Sequence, residues 1–143
     1  MADISFEGMD DAIRALDAAG EFDDQLISDM LHAGAEVVVQ QIQTGITRSR
    51  FKLDGYAGSV QAARQVKRSR KDKDPYLTVT ANGKNEKGTR RAEILFVLNY
   101  GRREEFGRIE PGYFWTLATQ KAQAPAAKAM EAVLETKLKK EGL

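Results

Sequence analysis

No cysteine occurs in the 143 residues, which excludes a disulfide framework and any thiolate metal site. Histidine is nearly absent too. The one copy, His32, sits beside the apolar Met30 and Leu31 of a helical stretch and reads as a partly exposed helix residue rather than a base. There is no HExxH, GxSxG, Walker loop or GxGxxG, and the glycines of GRREEFG, Gly101 and Gly107, have the wrong spacing for a phosphate cradle. Glu104 and Glu105 are neighbours in sequence, so they serve as paired acids only on a special turn. Asp23-Asp24 is better explained as a helix start. These shortages predict a protein that is not an enzyme and carries no cofactor and no metal. Long apolar runs are missing as well. The longest, Ile94 to Leu98, is far short of the roughly 20 residues of a membrane helix. The start, MADISFEGMDDAI, lacks a basic segment followed by an apolar one, so no signal peptide is expected. A soluble protein without membrane contact, made in a cytoplasm, is the expectation.

What is present is charge, unevenly placed. Met1 to Glu36 holds ten acidic residues against Arg14 alone, and Val37 to Arg91 holds thirteen basic residues against four acidic ones. A chain polarised in this way can meet its own copies head to tail, or its basic block can meet a phosphate backbone.

Hydrophobic spacing predicts an α+β fold in one domain, 1–143: a long amphipathic helix and a C-terminal helix packed on a small antiparallel β-sheet or hairpin. Residues 1–20 read as an arm, with alternating Ile4 and Phe6, and a short helix carrying Ile13 and Leu16 and stopped by Gly20. The long helix covers 22–48. Its apolar face runs through Leu26, Ile27, Met30, Gly34, Val38 and Ile42, and its start is marked by Asp23 and Asp24. Residues 59–82 read as a basic hairpin closed by Asn82-Gly83. The run 92–100 fits strand or buried helix equally, and Gly101 after it favours helix. From Pro111 to about 140 a second long helix is expected, with Phe114, Leu117, Ala118 and Ala122 in one phase and a kink or break near Pro125.

Two surfaces stand out. Arg64, Lys67, Arg68, Arg70, Lys71 and Lys73 crowd the hairpin tip and suit non-specific phosphate contact. Only Tyr56 and Tyr76 lie nearby for base stacking, so sequence reading is not implied. The stretch FVLNYGRREEFGRIEPGYFW sets an Arg-rich loop against the densest aromatic cluster of the chain. One reading of the stretch makes Phe96, Leu98 and Tyr100 core, with Phe114 and Trp115 covering the sheet. Tyr113, Phe114 and Trp115 are consecutive, so one helix face cannot bury all three, and at least one points to a partner or another part of the chain.

The order of these elements resembles the small neck or tail-completion proteins that join head to tail in long-tailed bacteriophages. The match covers roughly residues 20 to 140. In that family the apolar helix ends in a pattern like Phe-Val-Glu-Tyr-Gly, matched by Phe96, Val97, Tyr100 and Gly101, with Asn99 where the family usually has Glu. A Pro-x-aromatic lead-in to the last helix is matched by Pro111, Tyr113, Phe114, Trp115 and Ala118. The family's Gly-x-Leu-x-x-Ser turn survives only loosely, as Gly55 to Ser59. The Asn99 substitution removes an acidic contact otherwise assigned there. The resemblance implies a structural virion protein that forms or docks on a ring at the head–tail junction. Its partners would be copies of itself, other phage connector and tail proteins, and non-specifically the DNA in the channel. The assembly interface would comprise Tyr100, Gly101, Arg102, Arg103 and Arg108, with Tyr113, Phe114 and Trp115 at the loop's base. The alternative is a nucleic-acid-binding module acting through the basic hairpin.

Overall fold

The computed structural model describes residues 10–53, 55–62, 75–103, 105 and 107–142. The fold is α+β. In chain order the elements are α1 (Asp10–Ala18), α2 (Asp24–Arg48), β1 (Val60–Ala62), β2 (Val79–Ala81), α3 (Arg91–Tyr100) and α4 (Phe114–Lys140). The first arm and the hairpin tip, with Arg64, Lys67, Arg68, Arg70, Lys71 and Lys73, lie outside the described residues.

Local chemistry sets the helix ends. Asp10 and Asp11 place negative charge in the first turn of α1, where the free amides carry partial positive charge. Gly20, at φ +74°, closes α1 as the left-handed residue of a Schellman turn: Gly20 N–H donates to Asp17 O and Glu21 N–H to Leu16 O. Asp23 then caps α2, its carboxylate accepting from Leu26 N–H at 2.9 Å.

α2 and α4 form an antiparallel pair that carries most of the core. Their buried faces advance four residues at a time, through Leu26, Met30, Gly34, Ile42 and Ile46 on one and Phe114, Ala118, Ala122, Ala126, Met130 and Leu134 on the other. Small residues in the middle of the seam let the backbones approach. A Cβ added at Gly45 would stand 3.0 Å from Phe114 O, and one at Gly34 would stand 2.8 Å from Met130 Sδ. α1 closes one end, burying Leu16 with Leu26, Met30, Met130 and Leu134. Lys137 staples that end, its Nζ lying 3.2 Å from Glu21 and 3.3 Å from Glu141. The two-stranded sheet and α3 close the other end, where Val60, Ala81 and Leu95 pack on Ile42, Ile46 and Phe114. β1 and β2 are antiparallel, with Val60 opposite Ala81 and Ala62 opposite Val79.

Several sequence expectations need correction. The last helix begins at Phe114, not at Pro111, because Tyr113 stands before it in the left-handed region at φ 51°. It continues through Pro125 without a break. Pro125 and Lys121 both face solvent, where water can take the place of the hydrogen bond that proline cannot make. Leu117 leaves the buried phase and is half-exposed. Phe96 and Tyr100 are not core residues but 64% and 55% exposed. The reason lies in the helix wheel: Leu95 and Asn99 face inward, and the residues one position later turn about 100° away. Among the described residues, no helix is long and apolar enough to cross a membrane.

Candidate assembly surface

The C-terminus of α3 and the N-terminus of α4 are locked together by Asn99, which the sequence marked only as a departure from the Glu of the resembling family. Asn99 is buried at 1% exposure. Its Oδ1 accepts from Trp115 N–H at 3.0 Å and Thr116 N–H at 3.2 Å, and its Nδ2 donates to Thr116 Oγ1 at 2.9 Å. The first amides of α4 are therefore capped from another helix, since Tyr113 offers no side-chain cap. Backbone bonds from Gly112 N–H to Leu98 O and from Tyr113 N–H to Asn99 O complete the joint. A polar residue four positions after Leu95, on the inward face of α3, was the available signal.

Between the two helices the chain makes a narrow loop. Gly101 turns it at φ +82°, and any Cβ there would meet Ile109 O at 2.7 Å, so the position is closed to other residues. Arg102 and Ile109 then pair across the loop through two backbone hydrogen bonds of 2.9 and 3.1 Å. The Arg102 side chain holds the turn from within, Nε donating to Gly107 O at 2.8 Å. Arg108 pairs with Glu110 at 2.7 Å, and Arg50, at the end of α2, donates to Glu110 O. The loop is thus folded on itself and anchored to α2.

On this scaffold the proposed interface residues separate into groups. Tyr100, Arg102, Arg103 and Arg108 border one open groove of about 720 Å3. Beside it lies a smaller apolar groove of about 170 Å3, lined by Thr80, Leu95, Phe96, Asn99, Tyr100 and Trp115. The Phe96 and Tyr100 rings pack against each other with centroids 4.8 Å apart and their planes tilted by 55°. Trp115 is half-buried and forms the far wall. Phe114 is a correction: at 6% exposure, edge-on to Phe51, it belongs to the core and only supports the surface. Gly101 shapes the loop and also lines the larger groove. Tyr113 is 49% exposed but stands before α4 in the left-handed region and lines neither groove.

The sequence reading missed the cations at the end of α2. Arg48, Arg50 and Lys52 are exposed on the same pole as the loop, and Arg50 lies 4.4 Å above the Phe51 ring. Among the described residues no three His, Asp or Glu side chains gather as metal ligands, and His32 Nδ1 is engaged with Ser28 O at 2.8 Å on the outer face of α2. The arrangement offers docking chemistry, namely a pair of exposed rings, guanidinium groups and a hydrogen-bonded loop. Compared with protein-family models, curated proteins and solved structures, the chain finds no match.

Proposed function

We propose that this is a structural virion protein of the neck or tail-completion type, forming or docking on a ring at a phage head–tail junction. The observation that carries the reading is the exposed Phe96–Tyr100 pair joined to a hydrogen-bonded Arg-rich loop at one pole of the molecule. Exposed aromatics beside arginines have the composition of binding surfaces. The resemblance between residues 96–118 and the family's helix, loop and Pro-x-aromatic pattern supports the same reading. A loop already folded on itself suits docking, because little ordering entropy remains to be lost on contact.

The second reading is a nucleic-acid-binding module. It is favoured by the cations Arg48, Arg50, Lys52, Arg102 and Arg103 on one pole, and by the basic hairpin tip. Light scattering at low and moderate salt, with and without duplex DNA, separates the two. The joining role expects oligomers whose mass is indifferent to DNA. A monomer that gains mass only with DNA, in a steeply salt-dependent manner, would transfer the assignment to phosphate binding.

A further inference from the structure

The two ends of the α2–α4 pair carry opposite charge. At the α1 end, Asp10, Asp11, Asp17, Asp23, Asp24 and Asp29 are exposed, and the exposed cations beside them are Arg14, Lys139 and Lys140. At the loop end, Arg48, Arg50, Lys52, Arg102, Arg103 and Arg108 face Glu105 and Glu110. About 30 Å of α4 separates the ends, taking twenty residues from Phe114 to Leu134 at 1.5 Å each. The described acidic helix of one chain is therefore out of reach of the same chain's loop. It is available to another chain.

We infer that the occupant of the Phe96–Tyr100 surface and its arginine rim is the α1 end of a second copy of this chain. This rests on the proposed assembly role and names the partner for it. The outer face of α1 has the matching relief. Leu16 and Ile13 turn inward, leaving Ala15 and Ala18 exposed on the outer face with Asp11 between them, Arg14 beside them, and Asp10 and Asp17 further round. The short alanines offer the rings a surface, and the carboxylates, which outnumber Arg14, meet Arg103 and its neighbours. The contact is heterologous: each copy offers one end and receives the other, so the assembly closes as a ring or extends as a filament.

The test uses two variants of the full chain, each with one end neutralised at exposed positions. The first carries Asp10→Asn, Asp11→Asn and Asp17→Asn; the second carries Phe96→Ser and Arg103→Gln. Circular dichroism and thermal unfolding establish that both fold. At high protein concentration and low salt, the wild type is expected to exceed the mass of one chain, and to lose mass as salt screens the charges. Each variant alone is expected to run as a single chain. Their equimolar mixture is expected to form a pair and stop there, because each member retains one competent end. A first variant that still dimerises alone would show a two-fold contact and overturn the inference. A mixture that stays at single-chain mass would overturn it as well. So would a wild type that is a single chain under all these conditions, although docking on a preformed ring would survive that result.

Discussion

Asn99 offers the most direct test of how the candidate surface is held in place. Replacing it by Ala removes the acceptor for the Trp115 and Thr116 amides and the donor to Thr116 Oγ1. At 1% exposure, water has no ready path to replace them. Loss of a helix cap costs about 0.5–2 kcal/mol. An unsatisfied buried donor costs about 1–3 kcal/mol, and one of the two amides is counted in the cap already. A total of roughly 1.5–5 kcal/mol follows. For 143 residues each kcal/mol lowers Tm by about 3 °C, so Asn99→Ala should melt roughly 5–15 °C lower.

Asn99→Asp is the informative companion. It keeps an oxygen for both amides, adds negative charge at the N-terminus of α4, and lets the Thr116 hydroxyl rotate to donate. Its loss at neutral pH should stay below about 1 kcal/mol. Chemical denaturation gives both values, and hydrogen exchange should show the Trp115 and Thr116 amides losing protection in the Ala variant alone. An Asn99→Ala protein within about 0.5 kcal/mol of wild type would refute the capping argument.

Three further outcomes follow from the packing. Gly45→Ala should destabilise by about 1–2 kcal/mol despite the better helix propensity of alanine, because the new Cβ meets the rigid Phe114 backbone. Gly34→Ala, which meets only the flexible end of Met130, should stay within about 0.5 kcal/mol of wild type; equal losses in denaturant titration would contradict the distinction. Tyr113→Asn should leave Tm unchanged or raise it, since Asn tolerates the left-handed region where other residues lose about 1–2 kcal/mol. A clear drop in Tm would mean that the ring contributes more to the fold than its backbone costs. Hydrogen bonding to Glu21, then to Glu141, holds Lys137 above the ordinary lysine pKa. A raised folded pKa stabilises fully below the unfolded value, and the benefit is lost as pH rises through the folded value. The Tm advantage of wild type over Lys137→Met should therefore be constant near neutrality and shrink in strong alkali. A difference that persists there would exclude the ion pairs as its source.

The helices were legible where a single local pattern decides them. Asp23, Gly20 and the four-residue spacing of Leu26, Met30 and Gly34 fix α1 and α2 without reference to the rest of the chain. The start of α4 was not legible in the same way, because Pro111 obeys a local rule that tertiary contacts override. The cap of α4 comes from Asn99, sixteen and seventeen residues upstream of the amides it serves. No window of neighbouring residues contains that information. The surface was half-legible. The consecutive aromatics at 113–115 announced that one ring would face outward, and Tyr113 does; the exposure of Phe96 and Tyr100 depends instead on the phase of α3, which a run as apolar as Ile94 to Leu98 hides. Leu95 and Asn99 set it, and they bring out Phe96, which sequence reading had placed inside.

The energetics of that exposed pair bear on why a ring, rather than a simple dimer, suits the proposed role. An aromatic side chain offers about 150–250 Å2. Phe96 and Tyr100 leave roughly 60% of theirs uncovered, so a partner can remove about 200 Å2 from water. At about 25 cal/mol/Å2 this yields roughly 5 kcal/mol, comparable to the lower end of the 4–15 kcal/mol lost when two molecules become one. Exposed ion pairs around the rim add at most about 1 kcal/mol each and weaken with salt. One such contact therefore gives a weak pair. Closing a ring makes its last contact intramolecular, with no further loss of translational freedom, and the same modest surface becomes sufficient. Under the proposed role such a subunit would stay dissociated at low concentration and assemble where its neighbours are already gathered.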